Sequence, residues 1–240
     1  MTTEYVCVDV ETTGLNPKAD KLIEIGAVKV KDGIVVETFQ SFVNPNAKLP
    51  ERIVALTGIT DEMLLDAPQA KDVMPLFHAF CEELPLMGHN LQVDYAFLKR
   101  AMVQEGLSFE KRGIDTLKIA RKYLADLEKR SLEFLCNHFA IEHTAHRALG
   151  DAAATAQLYE LLKDKFYEKA VEEKCSVFLP KQLLHQAKKE QSITIAQKEQ
   201  IAKYCEKLHI VLEQDIETMT RAEASRFIQR YHLAFKGLQK

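Results

Sequence analysis

From residue 6 to residue 11 the chain alternates valine with Cys7, Asp9 and Glu11. A period of two sends Val6, Val8 and Val10 to one face of a strand and the other three residues to the opposite face. Asp9 and Glu11 therefore point the same way, close enough to repel. Folding gains nothing from such a pair, whereas a divalent cation with oxygen ligands accounts for it. The strand has to be buried, sheet-forming and acidic at one end, which points to an α/β chain with a metal site at a strand terminus.

At 240 residues with 47% apolar content, the chain can hold one large domain, or a medium one with an appendage. The five cysteines (Cys7, Cys81, Cys136, Cys175, Cys205) are odd in number and lack close pairs. They argue against a disulfide framework and against a zinc site, and fit a reducing cytoplasm. The N-terminus enters a strand directly, without a basic segment and apolar run, and no stretch of about 18 apolar residues is present, so neither a signal peptide nor a membrane span is expected. Residues 1–167 carry 19 Lys and Arg against 25 Asp and Glu, and residues 168–240 carry 13 against 10. An acidic part of net −6 and a basic part of net +3 suggest two domains, 1–167 and 168–240, with different tasks.

Residues 4–10, 22–30 and 34–43 read as strands, the last two joined at Lys31-Asp32-Gly33, where Asp-Gly favours a tight hairpin. Helical spacing follows over 50–56, 61–65 and 70–84, then a short strand at 86–88 and a helix at 91–104. A last short strand at 113–115 leads to helices at 117–127, 132–139 and 148–167. This order describes a mixed sheet covered by helices. Residues 181–191 are polar and read as a linker or exposed helix. Helices are expected at 197–208 and 220–235, the second opened by Thr220 and Glu223 as a capping box.

Two further stretches carry chemistry. Asp94 falls in the first turn of the 91–104 helix, on the face of Phe97, Leu98 and Ala101 that must pack on the sheet. An acid there also complements the helix dipole, which is the commoner reason for a lone Asp in a first turn, and what favours a site is that this face packs on the sheet carrying Asp9 and Glu11. His146 and Asp151 are five residues apart, which on one straight helix is a rotation of about 140°. They converge if His146 lies on the entering loop and Asp151 in the first turns, with Ala152, Ala153 and Ala154 allowing close packing on the strand of Asp9.

Asp9, Glu11, Asp94, Asp151 and His146, in that order, resemble the DEDDh branch of the 3′–5′ exonuclease superfamily. Asp9 to Gly14, His89-Asn90 leading to Asp94 and Phe97-Leu98, and His146 before Asp151 are similar to its three motifs. Leu56-Thr57-Gly58-Ile59-Thr60 resembles the segment beside the terminal nucleotide. The likeness covers about residues 3–167 and is nearest to domains similar to the epsilon proofreading subunit of bacterial DNA polymerase III. It implies a ribonuclease H-like, five-stranded mixed sheet flanked by helices, to which the helical patterns after residue 168 add a small α-helical C-terminal extension. It implies two ions, Mg²⁺ or Mn²⁺, with Asp9 bridging both, Glu11 and Asp94 on one and Asp151 on the other, and His146 as general base. Thr12, Thr13, Gly14, Leu56, His89, Asn90 and Phe97 are the expected substrate contacts. Gly14 as a plain turn residue and Asn90 as a helix cap remain open alternatives.

The expected activity is hydrolysis at the 3′ end of single-stranded nucleic acid, DNA before RNA, releasing nucleoside 5′-monophosphates. RNA 3′-end processing is the alternative, and an idle nucleic-acid-binding module is the rival from another class. The complete set of four carboxylates and a histidine argues against the idle module. Single-stranded DNA or RNA ends are the expected partners, with a polymerase or another replication or repair protein wherever the chain proofreads. In the tail, Arg221, Arg226, Arg230 and Lys236 near Tyr231 and Phe235 either touch a phosphate backbone or form the solvated face of an amphipathic helix.

Overall fold

The computed structural model describes residues 3–142, 146–212 and 215–237. Three strands open the chain: β1 (Glu4–Thr12), β2 (Leu22–Lys31) and β3 (Ile34–Phe42). The β2–β3 hairpin turns at Asp32 and Gly33, both left-handed at φ 50° and 80°, as a two-residue turn matched to strand twist requires. After α1 (Glu51–Thr57), α2 (Asp61–Leu64) and α3 (Ala70–Cys81) come β4 (Leu86–Gly88), α4 (Gln92–Gln104) and β5 (Arg112–Asp115). Then follow α5 (Thr116–Tyr123), α6 (Leu132–Phe139), α7 (Ala148–Glu172), β6 (Lys181–Gln182), α8 (Ile195–Leu208) and α9 (Arg221–Gly237).

The sheet runs β3-β2-β1-β4-β5-β6. β1 pairs antiparallel with β2 and parallel with β4, and β5 is parallel to β4. The alternation in β1 sorts its side chains as expected. Val6 and Val8 join a core with Phe77 of α3 and Tyr95, Leu98 and Met102 of α4. Tyr5 and Cys7 face the other way, into a core with Ile119 of α5 and Leu158, Tyr159 and Leu162 of α7. Asp9 and Glu11 continue the Cys7 row and so emerge beneath the start of α7.

Two expectations need correction. The sheet has six strands rather than five, because Gln182 and Lys181 pair antiparallel with Arg112 and Gly113 of β5. The segment read as a linker or exposed helix supplies this strand, and Leu183 behind it is buried in the core. The boundary expected after Tyr167 also falls inside a continuous helix, since α7 runs on to Glu172 and Phe178 packs into its core. Residues 1–44 and 49–187 form one compact unit, and residues 45–48 with 188–240 a second.

In the second unit, Ile193, Ile201, Met219 and Ala224 make a small core for α8 and α9. Thr194 and Gln197 form a capping box at α8. The one expected at α9 is present as well: the Thr220 N–H donates to Glu223 Oε2 at 2.8 Å and the Glu223 N–H to Thr220 Oγ1 at 3.2 Å. No helix among the described residues is long and apolar enough to cross a membrane.

One glycine fixes how α7 meets the sheet. A Cβ on Gly26 would lie 2.0–2.5 Å from the backbone of Ala148 and Leu149. The obstacle is backbone and cannot rotate away, so Gly26→Ala is expected to lower the unfolding free energy by roughly 1–3 kcal/mol or more. Denaturant titration of the variant measures this, and an unchanged midpoint would show that the helix start can slide.

Candidate active site

Asp9 pairs across the ladder with Gly26 and Glu11 with Glu24. Because Gly26 presents no side chain, the first turns of α7 close on the sheet at that point and deliver Asp151. One carboxylate oxygen from each of Asp9, Glu11 and Asp151 lies within 4.8 Å of the other two. Asp94 approaches from the opposite flank. β4 ends at Gly88, leaving the last residues of β1 without a strand on that side. The Asp94 carboxylate takes up that role, accepting the Val10 N–H at 3.3 Å from the first turn of α4. A bulge between Glu11 and Thr12 then turns the chain out of the sheet, as bulges beside functional sites commonly do.

These acids are charged at a cost. Burial pushes the Asp9 carboxyl well above the ordinary range, and the charges of Asp94, Asp151, Glu11 and Glu24 push it further. Burial, then Asp151 and Glu24, raise Glu11 to about 7, while Arg147 opposes the shift. Asp94 is raised chiefly by burial, against hydrogen bonds from the backbone that favour its charged form. Hard oxygen donors crowded until they resist ionisation are what a divalent cation stabilises. The donor set fits such an ion. Sulfur is out of place here: Cys7 lies fully buried behind Asp9 with its thiol pushed up, mainly by burial.

His146 stands, exposed, on the turn entering α7, in the left-handed conformation at φ 62°. Asp151, five residues on, is buried in the helix. The loop-then-helix arrangement expected for this pair is therefore present.

A groove of about 150 Å³ opens beside the acids, lined by Glu11, Thr12, Gly14, Leu56, Asp94 and Phe97 among others. Thr13 lies behind it, buried, donating its N–H to Lys21 O at 2.9 Å and accepting the Lys21 N–H on Oγ1 at 3.0 Å. A Cβ on Gly14 would meet the Asp20 carboxylate at 2.5–2.7 Å, so a larger residue there would displace that side chain. His89 and Asn90 stand apart from this lining. The His89 ring nitrogens are 2.9 Å from Thr116 Oγ1 and 2.7 Å from Arg130 O, so the ring ties α5 to the loop before α6. Burial lowers its pKa, in keeping with that structural place. Asn90 adopts φ 70°, donates its N–H to Asp115 Oδ1 at 3.0 Å and does not cap α4 with its side chain. Neither residue lines the groove.

Sequence reasoning overlooked Leu15, Ile53 and Val93, which complete the apolar walls of the groove. It also overlooked Glu24, fully buried and directly opposite Glu11. A signal for Glu24 existed: it is a lone carboxylate in the apolar run Leu22-Ile23-Glu24-Ile25, with Gly26 two residues on.

A ribonuclease H-like sheet with acids at the end of its first strand defines a class of nucleic-acid hydrolases, and the comparisons agree. The chain belongs to the exonuclease (RNase T) family, whose model matches residues 6–159, a span that includes His146 and all four carboxylates. It is 38% identical over 184 residues to a DNA polymerase III PolC-type of Caldanaerobacter subterraneus, covering 75% of this chain and 13% of that protein. With the PolC-type of Clostridium perfringens it shares 39% over 166 residues, 69% of this chain and 12% of that one. The chain thus spans about an eighth of these curated relatives. Among solved structures, a zinc-bound complex of E. coli exonuclease I with single-stranded DNA superposes with a TM-score of 0.63 at 19% identity, over 72% of this chain and 43% of that one, a likeness of fold. Exonuclease X in complex with 5′-overhanging duplex DNA superposes at 0.55 and 27% identity, over 68% of this chain and 93% of that one.

The raised acids set a pH dependence. An acid whose pKa is higher in the folded chain than in the unfolded one stabilises the fold below its unfolded value and loses that contribution as pH rises through the folded value. For Glu11 that window runs from the ordinary 4.5 to about 7. Metal-free protein is therefore expected to melt at lower temperature at pH 8 than at pH 5.5. Mn²⁺ should raise the melting temperature more at pH 8, where the ligands give up their protons readily. Glu11→Gln should flatten the metal-free trend. Melts in chelator that are independent of pH in both proteins would contradict the electrostatic account.

Proposed function

We propose that this chain is a metal-dependent 3′–5′ exonuclease that removes nucleoside 5′-monophosphates from single-stranded ends, DNA in preference to RNA. The observation that carries this reading is the meeting of Asp9, Glu11 and Asp151 oxygens within 4.8 Å beside a groove that Asp94 also lines. Asp9, Glu11, Asp94 and Asp151 would hold the metal, Mg²⁺ or Mn²⁺ by their hard oxygens. A pair of such ions, when bound, activates water and neutralises the leaving oxygen. His146, exposed on the turn entering α7, is the side chain placed to take the water's proton, an imidazole being the usual general base of such a step. Leu15, Leu56, Val93 and Phe97 give the groove apolar walls, a surface suited to the faces of a terminal base. Thr12 and Gly14 border the same space, with Thr12 Oγ1 donating to Gly14 O at 2.6 Å.

DNA is favoured because the PolC-type relatives are DNA polymerases by name, and because exonuclease X, at 27% identity, was captured on DNA. The same relatives support a polymerase, or another replication or repair protein, as the partner in proofreading. Five free thiols suit the reducing cytoplasm.

End-labelled single-stranded DNA should be shortened from its 3′ end with Mg²⁺ or Mn²⁺ and left intact in chelator, while a matched RNA is cut more slowly. Full digestion in excess chelator would overturn the reading, and faster loss of the RNA would turn it to RNA processing. Asp9→Ala should cost the most among the four acids, since Asp9 feels the charges of the other three. His146→Ala should lower kcat by roughly 10²–10⁴-fold, and a variant with wild-type turnover across pH 6–8 would remove His146 from the mechanism.

The helical second unit is proposed to engage the single strand without adding a catalytic group. Arg226 and Arg230 lie one turn apart on the exposed side of α9. Replacing both with alanine should weaken binding of a long single strand and flatten its salt dependence by roughly one to two in log–log slope. Cleavage of a dinucleotide should be unaffected. An unchanged salt slope would show that the basic face is merely solvated.

A further inference from the structure

Glu24 is wholly buried yet carries a carboxylate, and a buried charge persists only where donors surround it. Here they come from three places. Gln40 Nε2 of β3 donates to its Oε1 at 2.9 Å, the Arg147 guanidinium donates to the same oxygen at 3.2 Å, and the Ala148 N–H donates to Oε2 at 3.3 Å. The last of these is a free backbone donor at the start of a 25-residue helix. The N-cap residue Arg147 makes no side-chain capping hydrogen bond, so this first N–H is satisfied from the sheet, with the negative charge on the side the helix dipole prefers. Arg147 links outward from the same point. Its N–H donates to Asp151 Oδ2 at 3.2 Å, its guanidinium stands over the Phe42 ring at 5.5 Å, and its Nε, buried, has no hydrogen-bond partner among the described residues. His146, the residue before it, is held in the left-handed region.

We propose that Glu24, acting through Arg147 and the first N–H of α7, is the positioning residue that sets where Asp151 and His146 stand relative to Asp9 and Glu11. Gly26 removes the side chain that would hold the helix off, and Glu24 supplies the attraction that fixes its rotation and depth. The carboxylate stands across the ladder from Glu11 and also holds the helix start, so its loss should disturb the site more than the fold, and the Arg147 variants, which leave the Glu24 charge in place, separate its hold on the helix from its direct charge on the cluster. Replacement by glutamine keeps the shape and one acceptor oxygen but turns an amide toward donors. The inference rests on the metal-dependent reading of the site, and its test includes measurements that do not need activity.

In the full chain, Glu24→Gln is expected to remain folded by circular dichroism and to bind Mn²⁺, followed by electron paramagnetic resonance of the free ion, roughly 10–100-fold more weakly. The kcat on a single-stranded DNA oligomer should fall over a similar range while KM changes less than about threefold, because the groove residues lie on β1, the loop after it, α1 and α4. Arg147→Ala should reproduce both losses, and Arg147→Lys, which keeps the charge toward Glu24, should recover part of them. Folded Glu24→Gln with Mn²⁺ affinity and kcat within twofold of the parent would overturn the proposal. If Glu24→Gln does not fold, the Arg147 pair decides, and equal losses in Arg147→Lys and Arg147→Ala would count against positioning by charge. Should the parent chain prove inactive on every substrate, the exonuclease reading fails, whereas the Mn²⁺ comparison still judges the role of Glu24.

Discussion

The close approach of α7 to β2 is the contact on which the site depends. Helices usually pack on sheets through side chains, with the backbones held apart by them. At Gly26 that layer is missing, and the backbone of Ala148 and Leu149 occupies the space a Cβ would need. Ala152 and Ala154, buried farther along the helix, keep the separation small. Only at that distance does an Asp151 oxygen come within 4.8 Å of one on Asp9 and one on Glu11. A larger residue at 26 would leave three acids too far apart to share an ion, however well each strand and helix formed.

Bringing the acids together opposes folding. Asp9, Glu11 and Asp94 all resist ionisation in the metal-free chain, and the surrounding structure has to hold them against that repulsion. It does so from both sides of the sheet. The Val6 and Val8 face is anchored on α3 and α4, the Tyr5 and Cys7 face on α5 and α7, and a smaller cluster of Ile23, Leu49, Ile53, Ile59 and Leu64 seats α1. The three clusters position Asp94, Asp151 and Leu56 respectively. Strain collected at one strand end and carried by packing elsewhere is the ordinary arrangement at functional sites.

Much of this was legible in the sequence because it rests on short-range periodicity. Alternation in residues 6–11 assigned Asp9 and Glu11 to one face, and Asp32-Gly33 marked the hairpin turn. Thr220 and Glu223 announced the start of α9. What escaped depended on pairing across the sheet. Glu24 and Gly26 matter because the ladder sets them opposite Glu11 and Asp9, a register that no local pattern declares. β6 is only two residues long, too short for alternation to show, and its pairing is decided by Leu183 finding a buried place. The place of the His89 ring was hidden for a related reason: its neighbours in sequence lead to the site, but its partners, Thr116 and the Arg130 carbonyl, are distant in sequence.

The divided origin of the acids bears on what kind of catalyst this fold can be. Asp9 and Glu11 are fixed by the sheet, Asp94 by a helix that replaces a missing strand, and Asp151 by a helix drawn in at Gly26. No single element holds a complete ligand set, so the site exists only when all three are docked. Loosening α7 alone would leave Asp9, Glu11 and Asp94 near their places while removing Asp151 and His146 together. The junction at residues 146–148 thus joins one of the carboxylates to the proposed base, and whatever acts on that junction acts on both. A buried carboxylate from the neighbouring strand, meeting the helix at its first N–H, is well suited to hold such a junction: it gains strength from the same low dielectric that makes the unneutralised acids costly.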